Sequence, residues 1–307
     1  MYRSVAVAIP ALNEEQSLPG LLKGLISQKV PGVYQVSFTV LDDASEDRTA
    51  VVAQEVANTD NRVRLLRASQ RKGKTAQLRS FLETTDAEIV VFVDADVILG
   101  GESVLSDLLE SIRDGASLAS GCPVPVARST FWGRGSTFSG KALRAVRSKV
   151  NGGNNLFACH GRILAMNRSM IDILLAEVWP PAPIGEDTFF YIAAQEHGER
   201  FVYVPSAIVW FGVAANPREF MLQNARFSRD LNALTGLFGR RNVHRYTALP
   251  LALVLREITA LAFRDVIGAV SWLLLKIVCF VGTGQVEDAA WGVSQSTKGI
   301  KPRGLQQ

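Results

Sequence analysis

Cysteine is scarce in this chain of 307 residues. The three present, Cys122, Cys159 and Cys279, are odd in number and far apart. That excludes a disulfide framework and a paired-cysteine zinc site, and makes a reducing, cytoplasmic setting the expectation. Net charge is small as well: 33 Lys and Arg stand against 29 Asp and Glu, a formal +4. This is too little to argue for a nucleic-acid partner. The first apolar run, Val5 to Ile9, closes at Pro10. It is too short for a secretory leader and lacks a cleavage site. No internal repeat is visible. With 48% hydrophobic and 20% charged residues, 25 Gly and 12 Pro, the chain is neither disordered nor collagen-like. It has room for one large domain or two smaller ones.

The charge that exists is unevenly placed. From Arg218 onward there are 12 basic and 6 acidic residues, whereas the preceding part carries 21 and 23. A basic C-terminal third on a slightly acidic body suggests an anionic surface or ligand on one side.

The first hundred residues alternate two periodicities. Val5 to Ile9, Val36 to Leu41, Arg62 to Leu66 and Glu88 to Val93 read as buried strands. Gln16 to Gln28, Asp47 to Ala57 and Thr75 to Leu82 read as helices between them. Strand and helix in alternation predict a doubly wound α/β sheet. From Pro123 to Asn155 the pattern loosens. The Gly/Ser/Arg-rich stretch Arg128 to Gly140 and the basic, helix-like run Lys141 to Lys149 read as a mobile or partner-facing insertion, and Asn151 to Asn155 as a loop. Near the end, Ala248 to Phe263 and Val266 to Val281 are apolar segments parted by Arg264-Asp265. Each falls short of the ~20 residues that span a bilayer. Arg256, Glu257 and Lys276 interrupt them. Helices lying in a membrane interface fit, with Arg240, Arg241 and Arg245 just before them. A helical hairpin packed on the soluble body is the other reading.

In an open α/β sheet, ligands meet the C-terminal strand ends, and the polar clusters fall there. Asp94-Ala95-Asp96 follows a β-branched run. Two carboxylates so spaced suit a hard divalent cation with a diphosphate, or are simply exposed loop acids. Asp42 to Thr49 offers acceptors for a nucleobase, or a solvated loop with Ser45 as helix N-cap. Arg71-Lys72-Gly73-Lys74 combines close backbone approach with phosphate-meeting lysines, or is a basic surface loop. Gly185-Glu186-Asp187, after the Pro180-Pro181-Ala182-Pro183 loop, supplies a general base or a helix-capping acid. Gln223-Asn224-Ala225-Arg226-Phe227 holds a diphosphate or acceptor, or forms an ordinary amphipathic helix. His160 is a structural histidine or an acceptor-site residue, and Cys122 and Cys159 read as core.

In this order the clusters resemble the inverting GT-A-fold glycosyltransferases of family 2. The likeness covers roughly residues 4 to 230. Pro10, Asn13, Glu14 and Glu15 stand in its opening motif, Asp42 to Thr49 in its nucleotide loop, and Lys72-Gly73-Lys74 in its G-K loop. Asp94-Ala95-Asp96 matches its metal motif and Glu186-Asp187 its acidic pair. Gln223, Arg226 and Phe227 stand where some members carry Q-x-x-R-W. Phe in place of Trp argues against processive polymer synthesis.

The resemblance implies a Rossmann-like, mostly parallel sheet with helices on both faces, followed by apolar helices. It places a catalytic domain at 1–235 and a membrane-associated basic and apolar region at 236–307. A nucleotide-sugar donor, a UDP-sugar by preference and GDP-mannose as the alternative, would lie over Pro10, Asn13, Glu15, Asp42 and Asp43. Asp96, beside Asp94, would hold Mg²⁺ or Mn²⁺. Lys74 and Arg226 would face the diphosphate, and Glu186, Gln223, Phe227 and His160 the acceptor or diphosphate. Asp187 would be the base. The acceptor would be a lipid or lipid-linked hydroxyl at the cytoplasmic face of the cell membrane. Rival readings are a nucleotidyltransferase, which lacks its G-x-G-T-R loop here, a catalytically silent membrane-bound binding protein, and a D-x-D phosphatase, whose Thr is replaced by Val97.

Overall fold

The computed structural model describes residues 3–179, 185–282 and 297–299. The loop Pro180-Pro181-Ala182-Pro183 lies outside the described residues. In chain order the elements begin with β1 (Arg3–Ala11), α1 (Leu18–Ile26), β2 (Tyr34–Asp42), α2 (Thr49–Ala57), β3 (Val63–Arg67), α3 (Lys74–Thr84) and β4 (Ile89–Val93). They continue with β5 (Val97–Leu99), α4 (Val104–Arg113), β6 (Leu118–Pro125), α5 (Phe131–Arg147), β7 (Ile163–Asn167), α6 (Arg168–Ala176), α7 (Glu186–Glu196) and β8 (Phe201–Phe211). Helices close the chain: α8 (Pro217–Phe238), α9 (Arg240–Thr247), α10 (Leu251–Arg264) and α11 (Val266–Gly282).

The chain forms two compact units, residues 1–123 with 159–209, and residues 124–158 with 210–307. The first is built on an eight-stranded sheet of order β3-β2-β1-β4-β7-β6-β8-β5. β3, β2, β1 and β4 are parallel neighbours. β7 runs antiparallel to both β4 and β6. The sheet is therefore mixed: β7 is inserted in the reverse direction between β4 and β6, which run the same way, and β8 follows β6 in parallel, the Leu118 amide donating to the Arg200 carbonyl and the Val126 amide to the Phe211 carbonyl. Every residue of β4 is buried, as are Val5 to Ile9 of β1. Successive side chains of a strand point to opposite faces, so burial of all of them means that both faces are covered here. α1 turns Leu18, Leu21, Leu22 and Leu25 inward at helical spacing.

The second unit is helical. α5 is a regular helix of 17 residues; the helix-like run expected from Lys141 thus begins at Phe131, which corrects the reading of the Gly/Ser/Arg-rich part as irregular. Thr130 caps it, its hydroxyl accepting from the Gly133 amide at 3.3 Å. Its glycines serve contact: a Cβ on Gly135 would lie 2.5 Å from Ser271 Oγ on α11. The Asn151-Gly152-Gly153 turn follows, with positive φ at all three. Leu275 of α11 is buried with Ala214 and Phe220, and Trp132, Trp272 and Cys279 pack around them.

Arg240–Arg264 is long and apolar enough to cross a membrane, and its most apolar window is only 6% buried. The helix is broken at Ala248–Pro250, however, where the backbone is extended. α10 alone has 14 residues. At 1.5 Å per residue it is about 21 Å long, less than a ~30 Å hydrocarbon core.

Candidate active site

The site is assembled at the C-terminal ends of β1, β2 and β4, and the turns after them are tied to one another. Asn13, at φ +55°, gives its amide to Ser45 Oγ at 2.9 Å, and its side-chain oxygen accepts from the Glu46 amide at 2.9 Å. The Glu14 amide donates to Thr49 Oγ1 at 2.7 Å, and the Glu15 amide to Asp47 at 3.1 Å. Glu15 in turn accepts from the Arg48 amide at 3.0 Å. Asn tolerates the left-handed region at small cost. Ala44, at φ +57°, tolerates it poorly, which places local strain at this turn. Ser45 is not a helix cap, since α2 starts after Arg48; its hydroxyl is used across to the Asn13 turn instead. Pro10, without an amide hydrogen, pairs with Leu41, beyond the last β1–β4 pair, Ala8 with Phe92.

Asp42 and Asp43 are buried. Asp42 accepts from the Ser45 amide at 3.2 Å and pairs with Arg67 Nε at 3.1 Å. Asp43 accepts from the amides of Lys72 at 2.8 Å and Gly73 at 2.9 Å, and from the Gln77 side chain at 3.0 Å. Its carboxylate thus clamps the Lys72-Gly73 loop to the end of β2. Gly73, at φ +87°, makes the turn that starts α3 and delivers Lys74.

Lys74 is the electrostatic centre. Its ammonium contacts Asp94 Oδ1 at 2.6 Å and Glu186 Oε1. Burial alone would discharge it, but Asp94 and Glu186 outweigh burial and raise its pKa, so it remains a cation. Glu186 is pushed up by burial, with Lys74 pulling back and Asp187 and Asp94 adding to the rise. Asp96 is raised by burial and then by the neighbouring Asp94 charge, with Arg162 and Lys74 in opposition.

Two residues that sequence patterns did not single out, Gly161 and Arg162, complete the wall. The loop before β7 runs beside the end of β4, where the Asp94 amide donates to the Arg162 carbonyl at 3.1 Å. The Gly161 amide donates to Asp187 Oδ2 at 2.8 Å. The other oxygen of Asp187 accepts from its helix neighbour, the Thr188 amide, at 2.8 Å. A Cβ at Gly161 would lie 3.2 Å from Glu186 Oε1 and 3.4 Å from Asp187 Oδ2. His160 is held by its amide on Ser120 Oγ at 3.0 Å, with Arg162 Nη1 at 3.1 and 3.0 Å from its two ring nitrogens. The Cys159 thiol donates to the Asp187 carbonyl at 3.4 Å. Burial, then the Asp187 charge, lifts its pKa well up, so it stays protonated.

The structure thus brings Lys74, Asp94, Glu186, Asp187 and His160 to one region, with Asp96 in the same electrostatic field. Gln223, Arg226 and Phe227 belong to α8 in the second unit, where the Phe227 ring lies 6.1 Å from that of Phe157. Among the described residues no group of three or more His, Cys, Asp or Glu is arranged to hold a metal. Asp94 and Asp96 nonetheless fit a hard divalent cation. They are oxygen donors, and their mutual repulsion is a charge imbalance that such a cation relieves. A cation of the magnesium type takes only one or two carboxylates from a protein and the rest from phosphate and water.

A Rossmann-like sheet with acids gathered at its strand ends and a lysine among them has the architecture of the GT-A fold. The chain belongs to glycosyl transferase family 2, whose model matches residues 6–174. It is similar to an N-acetylglucosaminyltransferase of Bradyrhizobium diazoefficiens, 25% identical over 88% of this chain and 59% of that one. It is also similar to a beta-monoglucosyldiacylglycerol synthase of Nostoc, 29% identical over 43% of this chain and 28% of that one. The chain spans less than two thirds of the length of these relatives. Among solved structures, it shares its fold with a mannosyltransferase of Pyrobaculum calidifontis in complex with GDP-Man and Mn²⁺ (TM-score 0.57, 17% identity, 91% of this chain and 88% of that one). It shares it also with glucosyl-3-phosphoglycerate synthase of Mycobacterium tuberculosis in complex with Mn²⁺, UDP and phosphoglyceric acid (TM-score 0.54, 21% identity, 77% and 79%).

Proposed function

We propose that the protein transfers a sugar from a nucleotide-sugar donor, preferably a UDP-sugar, to a hydroxyl of a lipid or lipid-linked acceptor, with inversion at the anomeric carbon. The observation that carries this reading is the meeting of Lys74, Asp94, Glu186 and Asp187 at the strand ends. It combines a phosphate-directed cation, a metal-type acid pair and a candidate base.

The nucleotide would lie over the turns of Pro10, Asn13, Glu15 and Asp42, with Asp43 acting through the Lys72-Gly73 loop that it clamps. Asp96, beside Asp94, would hold Mg²⁺ or Mn²⁺, with donor diphosphate oxygens completing the shell. Such a cation supplies Lewis-acid stabilisation of the charge that grows on the leaving diphosphate. Lys74 adds positive charge to the same region. Asp187 accepts the proton of the acceptor hydroxyl, whose oxygen attacks C1 on the face opposite the leaving group. The Gly161 and Thr188 amides hold this carboxylate in place. One displacement through an oxocarbenium-like state inverts the centre. His160 and Glu186 line the acceptor side, and Gln223, Arg226 and Phe227 of α8 contribute to acceptor or diphosphate binding.

The membrane part of the reading rests on the exposed apolar faces of α10 and α11 and on the relative named for diacylglycerol. It places the enzyme on the cytoplasmic face of the cell membrane.

The test is release of nucleoside diphosphate from a panel of UDP- and GDP-sugars with a lipid acceptor and Mn²⁺. Asp187→Asn should lower transfer by about 10²–10⁴-fold, the range of a lost general base. It should keep a metal-dependent rise in melting temperature with the cognate nucleotide. Wild-type levels of transfer in this variant would sink the assignment, and a shift with GDP alone would move the donor to GDP-mannose.

A further inference from the structure

In the second unit, Arg241, Asn242, His244 and Arg245 line a cavity of about 500 Å³. Arg241 and Arg245 are four residues apart on α9 and His244 three from Arg241, so the three share a face. The helix buries Val243, which fixes the side that turns inward. Two guanidiniums, an imidazole and an amide line the cavity without a carboxylate. Among the described residues no acid pairs with Arg240, Arg241, Arg245 or Arg264, whereas the two acids of the following hairpin are used internally. Glu257 pairs with Lys149 at 2.6 Å and Arg256 at 3.0 Å, and Asp265 with Arg134 at 2.6 Å. The uncompensated charge of α9 to α11 is therefore of one sign.

The helices that follow supply the second observation. Val266, Ile267, Val270, Leu273, Leu274 and Ile277 are exposed along one stripe of α11 at helical spacing, and Leu251, Leu255 and Phe263 are exposed on α10. A contiguous apolar face of this kind marks an interaction surface. A pocket of fixed positive charge next in sequence to such helices has the composition of an interfacial anchor.

We propose that the α9 cavity is a headgroup site for an anionic phospholipid. The phosphate would sit between Arg241 and Arg245, with His244 as a further donor, while the exposed faces of α10 and α11 enter the acyl region. This rests on the membrane reading above and goes beyond it by assigning the lipid class and the residues that select it.

The experiment is co-sedimentation of the full chain with phosphatidylcholine vesicles, with and without phosphatidylglycerol. Wild type should prefer the anionic vesicles, and Arg241→Gln/Arg245→Gln should bind them about 30-fold more weakly, as expected for two arginines at about 1 kcal/mol each. The charge-matched variant Arg144→Gln/Arg218→Gln should lose much less. Equal binding to neutral vesicles, or equal losses in the two variants, would overturn the site. So would a melting shift with inorganic phosphate that Arg241→Gln/Arg245→Gln abolishes while vesicle binding persists, since the ligand would then be a free anion. The metal-dependent nucleotide shift, read on the same samples, fails only if the donor assignment fails and so separates the two readings.

Discussion

Lys74 shows how much of the site hangs on one charge. It is shared by Asp94 and Glu186, both mostly buried. Removing one partner of a buried ionic group leaves the others uncompensated, at a cost of roughly 3–5 kcal/mol. Lys74→Met should therefore lower the melting temperature clearly. The loss should depend on pH with a definite sign. Without the ammonium, Glu186, already raised by burial, rises further. The native state then holds a proton that the unfolded chain releases, so stability falls as pH increases. The deficit against wild type should be smaller near pH 5.5 than near pH 8, as melts at both values would read. Gly161→Ala is the complementary case. Its Cβ would press on Glu186 and Asp187, so turnover should fall while the melting temperature moves little. The contrast explains what could be read in advance. Asp94, Asp96, Glu186 and Asp187 are visible in a sequence because their side chains carry the chemistry. Gly161 and Arg162 act partly through an amide and a carbonyl, and a backbone group has no signature in residue type. Asp43, which the resemblance places at the nucleotide, has its carboxylate on the amides of Lys72 and Gly73.

Elements divide in the same way. β1, β2 and β4 are marked by β-branched runs that end at acids, so this part of the sheet is legible. β6 reads Leu-Ala-Ser-Gly-Cys-Pro at its start and β8 contains Pro205; small residues and proline blur the strand period, and these strands beyond β7 are not legible. The first part of α5 is hidden for a related reason, whereas its end, from Lys141, reads as helix-like. Gly133, Gly135 and Gly140 lower helix propensity by about 1 kcal/mol each, and tertiary contact overrides that preference. Gly135 lets α5 approach α11 where any side chain would collide with Ser271 and the Trp272 amide. Gly135→Ala should destabilise the protein by about 1–3 kcal/mol through overpacking despite its better intrinsic propensity. Thermal unfolding would show the sign directly.

At the scale of the whole molecule, the exposed apolar faces should separate stability from location. Phe263 is 84% exposed and Ile277 51%, so Phe263→Asp/Ile277→Asp should leave the melting temperature within a degree or two of wild type. The same variant should shift the protein from the membrane to the soluble fraction on centrifugation and depress transfer to a lipid acceptor more than to a water-soluble one. The laced strand ends of the first unit carry a different consequence, in time rather than energy. Asn13 to Glu15 are tied to the Ser45–Thr49 turn, and Asp43 to Lys72 and Gly73. Each of these amides donates to a side chain of a different turn, so two turns must part before it meets solvent. In hydrogen exchange, the amides of Asn13, Glu14, Glu15, Lys72 and Gly73 should open together with one shared rate, so that the rim which would cradle a nucleotide behaves as a single slow hinge.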